Sequence, residues 1–278
     1  MRPVIVAALL VIALALTGCI SSQTVVKLKA DGSGTIVETT TMSSQMVSMM
    51  KEMMTGMAKE LGGKDVSDKD TASADLFSEK DARAKTSKLG EGVTFVSSEK
   101  IKTSDSEGLR AIYHFADINR LRISEKPSTP GPGGARAESS SEGEEVTFRF
   151  ARQGGDSVLT IINPPSTAQK TSTDTPPQGP KPQAGGPEME QFTRLMKGLR
   201  ISRALEIEGR LKKTNATYVE GNTVTLLDIN FEALLSNEGA LALLSTTKNP
   251  DDAKRILKDI KGIKVELSPE VKIEFAAR

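Results

Sequence analysis

The stretch TVVKLKADGSGTIVETTT, residues 24–41, constrains the fold more than any other part of the chain. β-Rich runs cover Thr24 to Lys29 and Thr35 to Thr41, and Ala30-Asp31-Gly32-Ser33-Gly34 stands between them. Asp-Gly between two such runs signals a tight turn, because glycine takes the positive φ that other residues resist. The spacing predicts an antiparallel hairpin. The Asp-x-x-Gly pattern also resembles part of a calcium loop, but no further spaced carboxylates follow, so no metal is expected there.

Two more hairpins read the same way. Val93 to Glu99 and Leu109 to Phe115 flank a polar turn, with Leu109, Ala111, Tyr113 and Phe115 on one face and Arg110, Ile112 and His114 on the other. Val146, Phe148 and Phe150 alternate, Gly154-Gly155-Asp156 turns the chain, and Val158 to Ile162 returns. A lone two-stranded hairpin is marginal in water, so this third one is expected to add to the main sheet. Between the first two hairpins lies a helix over Glu79 to Leu89. Ser78 is placed to cap it, Phe77 and Ala82 occupy staple positions, and Gly90 stands where a left-handed C-terminal residue is wanted.

Residues 125–145 and 164–187 are rich in Pro, Gly, Ser and Thr and bury too little apolar surface to offset the entropy of ordering. They read as flexible loops within one domain of residues 19–278. Beyond them a short helix is expected near Glu188 to Lys197. Strands follow at Ile201 to Gly209, Arg210 to Tyr218 and Thr223 to Asn230, with Glu220-Gly221-Asn222 as a turn. Helices are expected over Phe231 to Leu244 and Asp251 to Ile260, the second entered through Asn249-Pro250, and strands at Ile263 to Leu267 and Val271 to Phe275. Hairpins with intervening helices and no regular βαβ alternation predict an α+β fold: a largely antiparallel, curved sheet with several short helices packed on it. With hydrophobic residues at 37% and aromatic ones at 4%, the core is built on Val, Ile, Leu, Ala and Met.

The N-terminus adds an address. Arg2 precedes an uninterrupted apolar run from Val4 to Leu16, too short to span a bilayer, which takes about 20 residues in a helix. Residues 1–18 read as a leader. Its end, Leu16-Thr17-Gly18-Cys19, resembles the lipobox of bacterial lipoproteins, in which the cysteine receives lipid and becomes the new first residue. Cys19 is the only cysteine of the chain, so no disulfide or metal-binding companion competes for it. The resemblance implies a diacylglyceryl thioether and an acylated amine, and two or three chains anchor stably. Ile20 rather than Asp after the cysteine implies the outer membrane in a host with two membranes, and the outer face of the cytoplasmic membrane otherwise. Ile20 to Gln23 form the expected spacer before the first strand, reaching about 14 Å.

A Met-rich stretch, MVSMMKEMMTGM over residues 46–57, poses the sharpest question of function. On a helix, Met42, Met46, Met49, Met50, Met53, Met54 and Met57 fall within about 140° of arc, while Ser48, Lys51, Glu52, Thr55 and Lys59 lie outside it. Three readings stay open for this soft face: it covers the sheet; Met46, Met49, Met50, Met53 and Met57 wall a groove for a lipid or other hydrophobic ligand; or thioethers bind Cu(I) or Ag(I).

The inventory argues against catalysis. His114 is the only histidine, the only cysteine is assigned to lipid, and no phosphate-cradling glycine loop or zinc-ligand cluster occurs. No enzyme activity and no cofactor are expected. The formal net charge of +1 falls to zero without the leader, so no basic field exists to attract nucleic acid. Asn215-Ala216-Thr217 matches a glycosylation acceptor pattern and is expected to mean nothing in a bacterial chain.

Asp31-Gly32-Ser33-Gly34, Phe115-Ala116-Asp117-Ile118, and Thr214-Asn215-Ala216 followed by Val224-Thr225-Leu226-Leu227 are similar to the LppM-type domain of bacterial surface lipoproteins. Many members carry a Trp in the strand matching Val224 to Leu227 and a C-terminal membrane segment; this chain has neither. The resemblance implies a lipid-anchored α+β domain that handles lipid, with no catalytic residues to carry over. The expected partners are thus the membrane, through Cys19, together with a hydrophobic ligand or an envelope protein.

Overall fold

The computed structural model describes residues 20–61, 75–124, 145–163, 198–247 and 249–277. The leader, Cys19, nearly all of both Pro/Gly/Ser-rich segments and the helix expected at Glu188 to Lys197 lie outside the described residues. The fold is α+β, with mostly antiparallel sheets and short helices.

The first hairpin forms as its sequence dictates, and is longer at both free ends. Strand β1, Ile20–Lys29, pairs antiparallel with β2, Gly34–Ser43. Ile20 to Gln23 are therefore part of a strand and not a spacer, because Ile20 finds Met42 opposite it and Ser21 finds Thr41. Met42 likewise ends β2 instead of leading the Met-rich helix. It is one of the most deeply buried side chains. The second hairpin, β3 at Thr94–Lys102 and β4 at Ser106–Phe115, joins the same sheet through β2. In β4, Ala111, Tyr113 and Phe115 are buried while Arg110 and His114 face water.

Sheet membership departs from expectation at the third hairpin. A short strand β5, Ile123–Ser124, precedes β6, Glu145–Gln153, and β7, Asp156–Ile162. Among the described residues these belong to a second sheet of order β5-β6-β7-β13-β9, where β9 is Arg210–Thr214 and β13 is Glu270–Ala276. The larger sheet runs β10-β11-β8-β1-β2-β4-β3. In it β8 is Arg200–Glu208, β10 is Val219–Glu220 and β11 is Thr223–Asn230, while β12, Lys264–Val265, pairs with β11. A single sheet would leave its apolar face uncovered. Two sheets bury it: Ile36, Tyr113, Phe115 and Leu205 of the larger share one core with Phe148, Ile161, Ile273 and Phe275 of the smaller.

The chain passes between sheets at Gly209, where a Cβ would sit 2.4 Å from the Ala276 carbonyl oxygen, so only glycine allows β13 this close. Among the described residues, parallel pairing of β8 beside β1 is the exception to the antiparallel pattern. No turn signal marks it, since the partners are nearly 180 residues apart.

The helices follow their caps. The Met-rich helix α1 spans Ser44–Leu61. Ser78 accepts the Asp81 N–H as expected, but the segment it opens divides into α2, Glu79–Ala84, and α3, Thr86–Leu89. The stretch after β11 divides too, into α4, Phe231–Leu235, and α5, Glu238–Thr246, because Asn237 accepts the Ala240 N–H and starts a new helix. Asn249 caps α6, Pro250–Lys258, with Pro in its first turn. These three helices close a second apolar cluster around Leu234, Ile260, Ile263 and Val265.

Candidate functional site

Side chains on the inner face of the larger sheet lie in rows set by strand register. One row holds Leu205, Val26, Ile36 and Tyr113, all buried. The next holds Arg203, Thr24, Glu38 and Ala111, so polar groups appear on an inner face where the smaller sheet ends. Glu38 accepts two hydrogen bonds of 2.8 Å from the Lys85 Nζ, between side chains 15% and 22% exposed. That pair ties the α2–α3 junction to the sheet.

Above the junction of these rows is a small apolar cavity between the two sheets. Val26 and Leu205 form its floor, and Ile123, Val146 and Phe148 of the smaller sheet its roof. Thr24, Arg203 and Leu226 line its half-buried side. Leu226 owes its place to a β-bulge: Thr225 pairs with Ala204 and Leu227 with Arg203, leaving Leu226 as the extra residue. The cavity proper is about 20 Å³ on the measure by which one water needs about 10–15 Å³, so its walls must part to admit an apolar chain.

The Met-rich helix stands elsewhere. Met46 and Met50 are half-buried and pack with Ile20 and Leu109 on a cluster of Met42, Val47 and Phe77. Met49 is 40% exposed. The side chains of Met53 and Met57 lie outside the described residues, as does Cys19. The described lining of the inter-sheet cavity comes from strands and includes none of these methionines. Sequence reasoning missed the cavity, though the alternation Val146-x-Phe148 was a usable signal once a second sheet was admitted.

The motif residues form junctions. Asp31 accepts the Ser33 N–H at 2.9 Å and its hydroxyl at 2.7 Å, and these bonds hold its carboxyl below the usual range. Gly32, at φ 90°, lies against the Phe150 ring, which would be 2.8 Å from a Cβ there, and its carbonyl accepts the Ile118 N–H at 3.0 Å. Asn119, in a single 3-10 turn over Ile118–Arg120, accepts the Phe150 N–H at 2.7 Å, and the Ser157 hydroxyl donates to the Ala30 carbonyl. The first two motifs thus join the sheets at one point.

Asn215 and Thr217 are equally engaged. Asn215 Oδ1 accepts the Lys272 N–H at 2.6 Å and Nδ2 donates to the Glu270 carbonyl at 3.0 Å, extending the β9–β13 ladder by a side chain. Thr217 meets Glu266, which is 5% exposed. Its carboxylate accepts the Thr217 N–H at 2.6 Å, the Thr217 hydroxyl at 3.2 Å and the Ser268 N–H at 3.0 Å. Burial alone raises the Glu266 pKa, but the hydrogen bonds from Thr217 and Ser268 together outweigh it and hold the carboxyl below its ordinary 4.5.

A pH test follows. Since Glu266 titrates lower folded than unfolded, its contribution is complete above the unfolded value and is lost as pH falls through the folded one. Glu266→Gln should cost about 1–3 kcal/mol at neutral pH by losing charged hydrogen bonds. The gap in melting temperature between wild type and variant should narrow as pH falls below 4.5 and through the lower folded value. A gap that stays constant across the acid range would exclude an ionised Glu266 as the pin.

Among the described residues, no group of three or more His, Cys, Asp or Glu is placed to hold a metal, and no helix is long and apolar enough to cross a membrane. No protein-family model matches the chain, and no curated protein matches it. Among solved structures, the NMR structure of the folded domain of the Mycobacterium tuberculosis LppM protein is similar at 8% identity, over 94% of this chain and 91% of that one, with a TM-score of 0.30.

Proposed function

We propose that this protein is a non-enzymatic lipoprotein of the bacterial envelope, anchored through lipid on Cys19, whose domain binds one apolar chain of a lipid or similar ligand between its two sheets. The observation that carries the binding reading is the inter-sheet cavity. Its walls are Val, Ile, Leu, Ala and Phe, and the surface that it exposes is wholly apolar, which suits an acyl chain. The lipobox-like Leu16-Thr17-Gly18-Cys19 supports the anchor, and Ile20 after it supports the outer membrane where the host has two.

Native mass spectrometry of protein purified without detergent, together with titration of a fluorescent fatty acid, tests the reading. The expected result is a bound lipid mass or saturable probe binding, weakened at least tenfold by Leu226→Trp, which places a large ring at the half-buried side. Wild-type protein that carries no lipid and binds no probe would overturn it.

A further inference from the structure

The strand after Cys19 has no slack. Ile20 opens β1 opposite Met42, and Ser21 is paired on both sides, with Thr41 of β2 and Arg200 of β8. Ile20 also packs against the cluster of Met42, Val47 and Phe77. One trans peptide, about 3.8 Å between Cα atoms, separates the cysteine from a residue held in the middle of the larger sheet.

The same end of that sheet carries the β3–β4 turn, whose Asp105 carbonyl accepts the Ser44 N–H at 2.9 Å, together with the start of β8 and the end of β11. Several of its charges are matched within it. Arg200 gives Asp228 two hydrogen bonds of 2.9 Å, and Lys102 lies 3.8 Å from Glu107. Ser21, Ser43, Ser44, Thr103 and Ser104 add hydroxyls.

We propose that this end of the larger sheet is a bilayer-facing surface that stands on the headgroups of a membrane without needing anionic lipid. The inference rests on the anchor reading of Cys19 and deepens it. Lipid on Cys19 draws this end to the surface, and a strand clamped on both sides leaves no hinge between anchor and domain. Hydroxyls and internally matched ions suit zwitterionic headgroups, whereas attraction to anionic lipid would call for a basic cluster. The opposite end, with the β1–β2 turn and Ala116, is then held a ten-residue strand away, about 30 Å.

The test uses the full lipidated chain in phosphatidylcholine vesicles. Because the thioether consumes the Cys19 thiol, one introduced cysteine takes a fluorophore selectively: Ser104→Cys in the β3–β4 turn, or Ala116→Cys beyond β4. Headgroup-attached nitroxide lipid should quench the fluorophore at 104 several-fold more than at 116, and neither anionic lipid nor high salt should change that ratio. A flexible Gly/Ser insert of roughly ten residues between Cys19 and Ile20 should erase most of the difference while vesicle binding persists. Equal quenching at both sites in vesicle-bound protein overturns the orientation and leaves the anchor intact. Protein that fails to float with vesicles overturns the anchor itself.

Discussion

Replacing Phe275 by alanine is expected to destabilise the domain by about 3–5 kcal/mol, the cost of deleting a fully buried ring whose cavity cannot collapse. Phe275 is fully buried, pairs with Ser157 of β7 and Leu211 of β9, and its ring lies 6.4 Å from that of Phe150. It belongs to the core shared by both sheets, so its removal loosens the packing of one on the other. A drop in melting temperature on the order of 10 °C should accompany the change. Leu243→Ala, at a side chain 57% exposed on α5, should stay within about 0.5 kcal/mol of wild type. Urea unfolding of the two variants side by side checks the contrast. A loss below about 1 kcal/mol for Phe275→Ala would mean that the sheets do not share this core.

Changing Cys19 to serine is expected to abolish lipid attachment altogether. Growth with an alkyne fatty acid should label the wild-type chain and leave the Cys19→Ser variant unlabelled. Wild-type protein should partition into a detergent phase after removal of its leader. Two or three acyl chains supply a stable anchor where one supplies only a marginal one, so the effect should approach all or none. Equal label in the variant, or wild-type protein whose mass retains the first 18 residues, would remove the anchor and with it the bilayer-facing orientation.

The two experiments address different parts of the reading. The first tests whether a two-sheet core exists to hold a cavity, and the second whether the domain is placed beside lipid at all. A protein that passes the first and fails the second would keep its two-sheet core, though no longer one tied to a membrane.

Where the sequence was informative, the interaction was local. The hairpin turn at Asp31-Gly32 was legible because its bonds close within five residues: the Lys29 N–H reaches the Ser33 carbonyl, and the Gly32 N–H reaches that of Lys29. Ser78 and Asn249 were legible as caps because a capping side chain bonds an N–H two or three residues ahead. The alternation in Leu109 to Phe115 correctly named the buried face because strand side chains alternate with period two.

What a face is buried against was not in that period. Val146, Phe148 and Val271 to Phe275 announced apolar faces, yet only tertiary structure decided that they form a second sheet and cover Ile36 and Phe115. Met42 has the spacing of a helical methionine and was taken by β2, because pairing with Ile20 and burial outweigh helix propensity at a strand end. The parallel match of β1 with β8, the bulge that sets Leu226 at the cavity and the Glu266 pin all join segments far apart in the chain. Loop-closure entropy grows only slowly with separation, so it hardly discriminates among distant partners. The sequence by itself determined the hairpin turns, the caps and the buried side of β4. The division into two sheets, and with it the cavity, came from the requirement that every apolar face be covered at once.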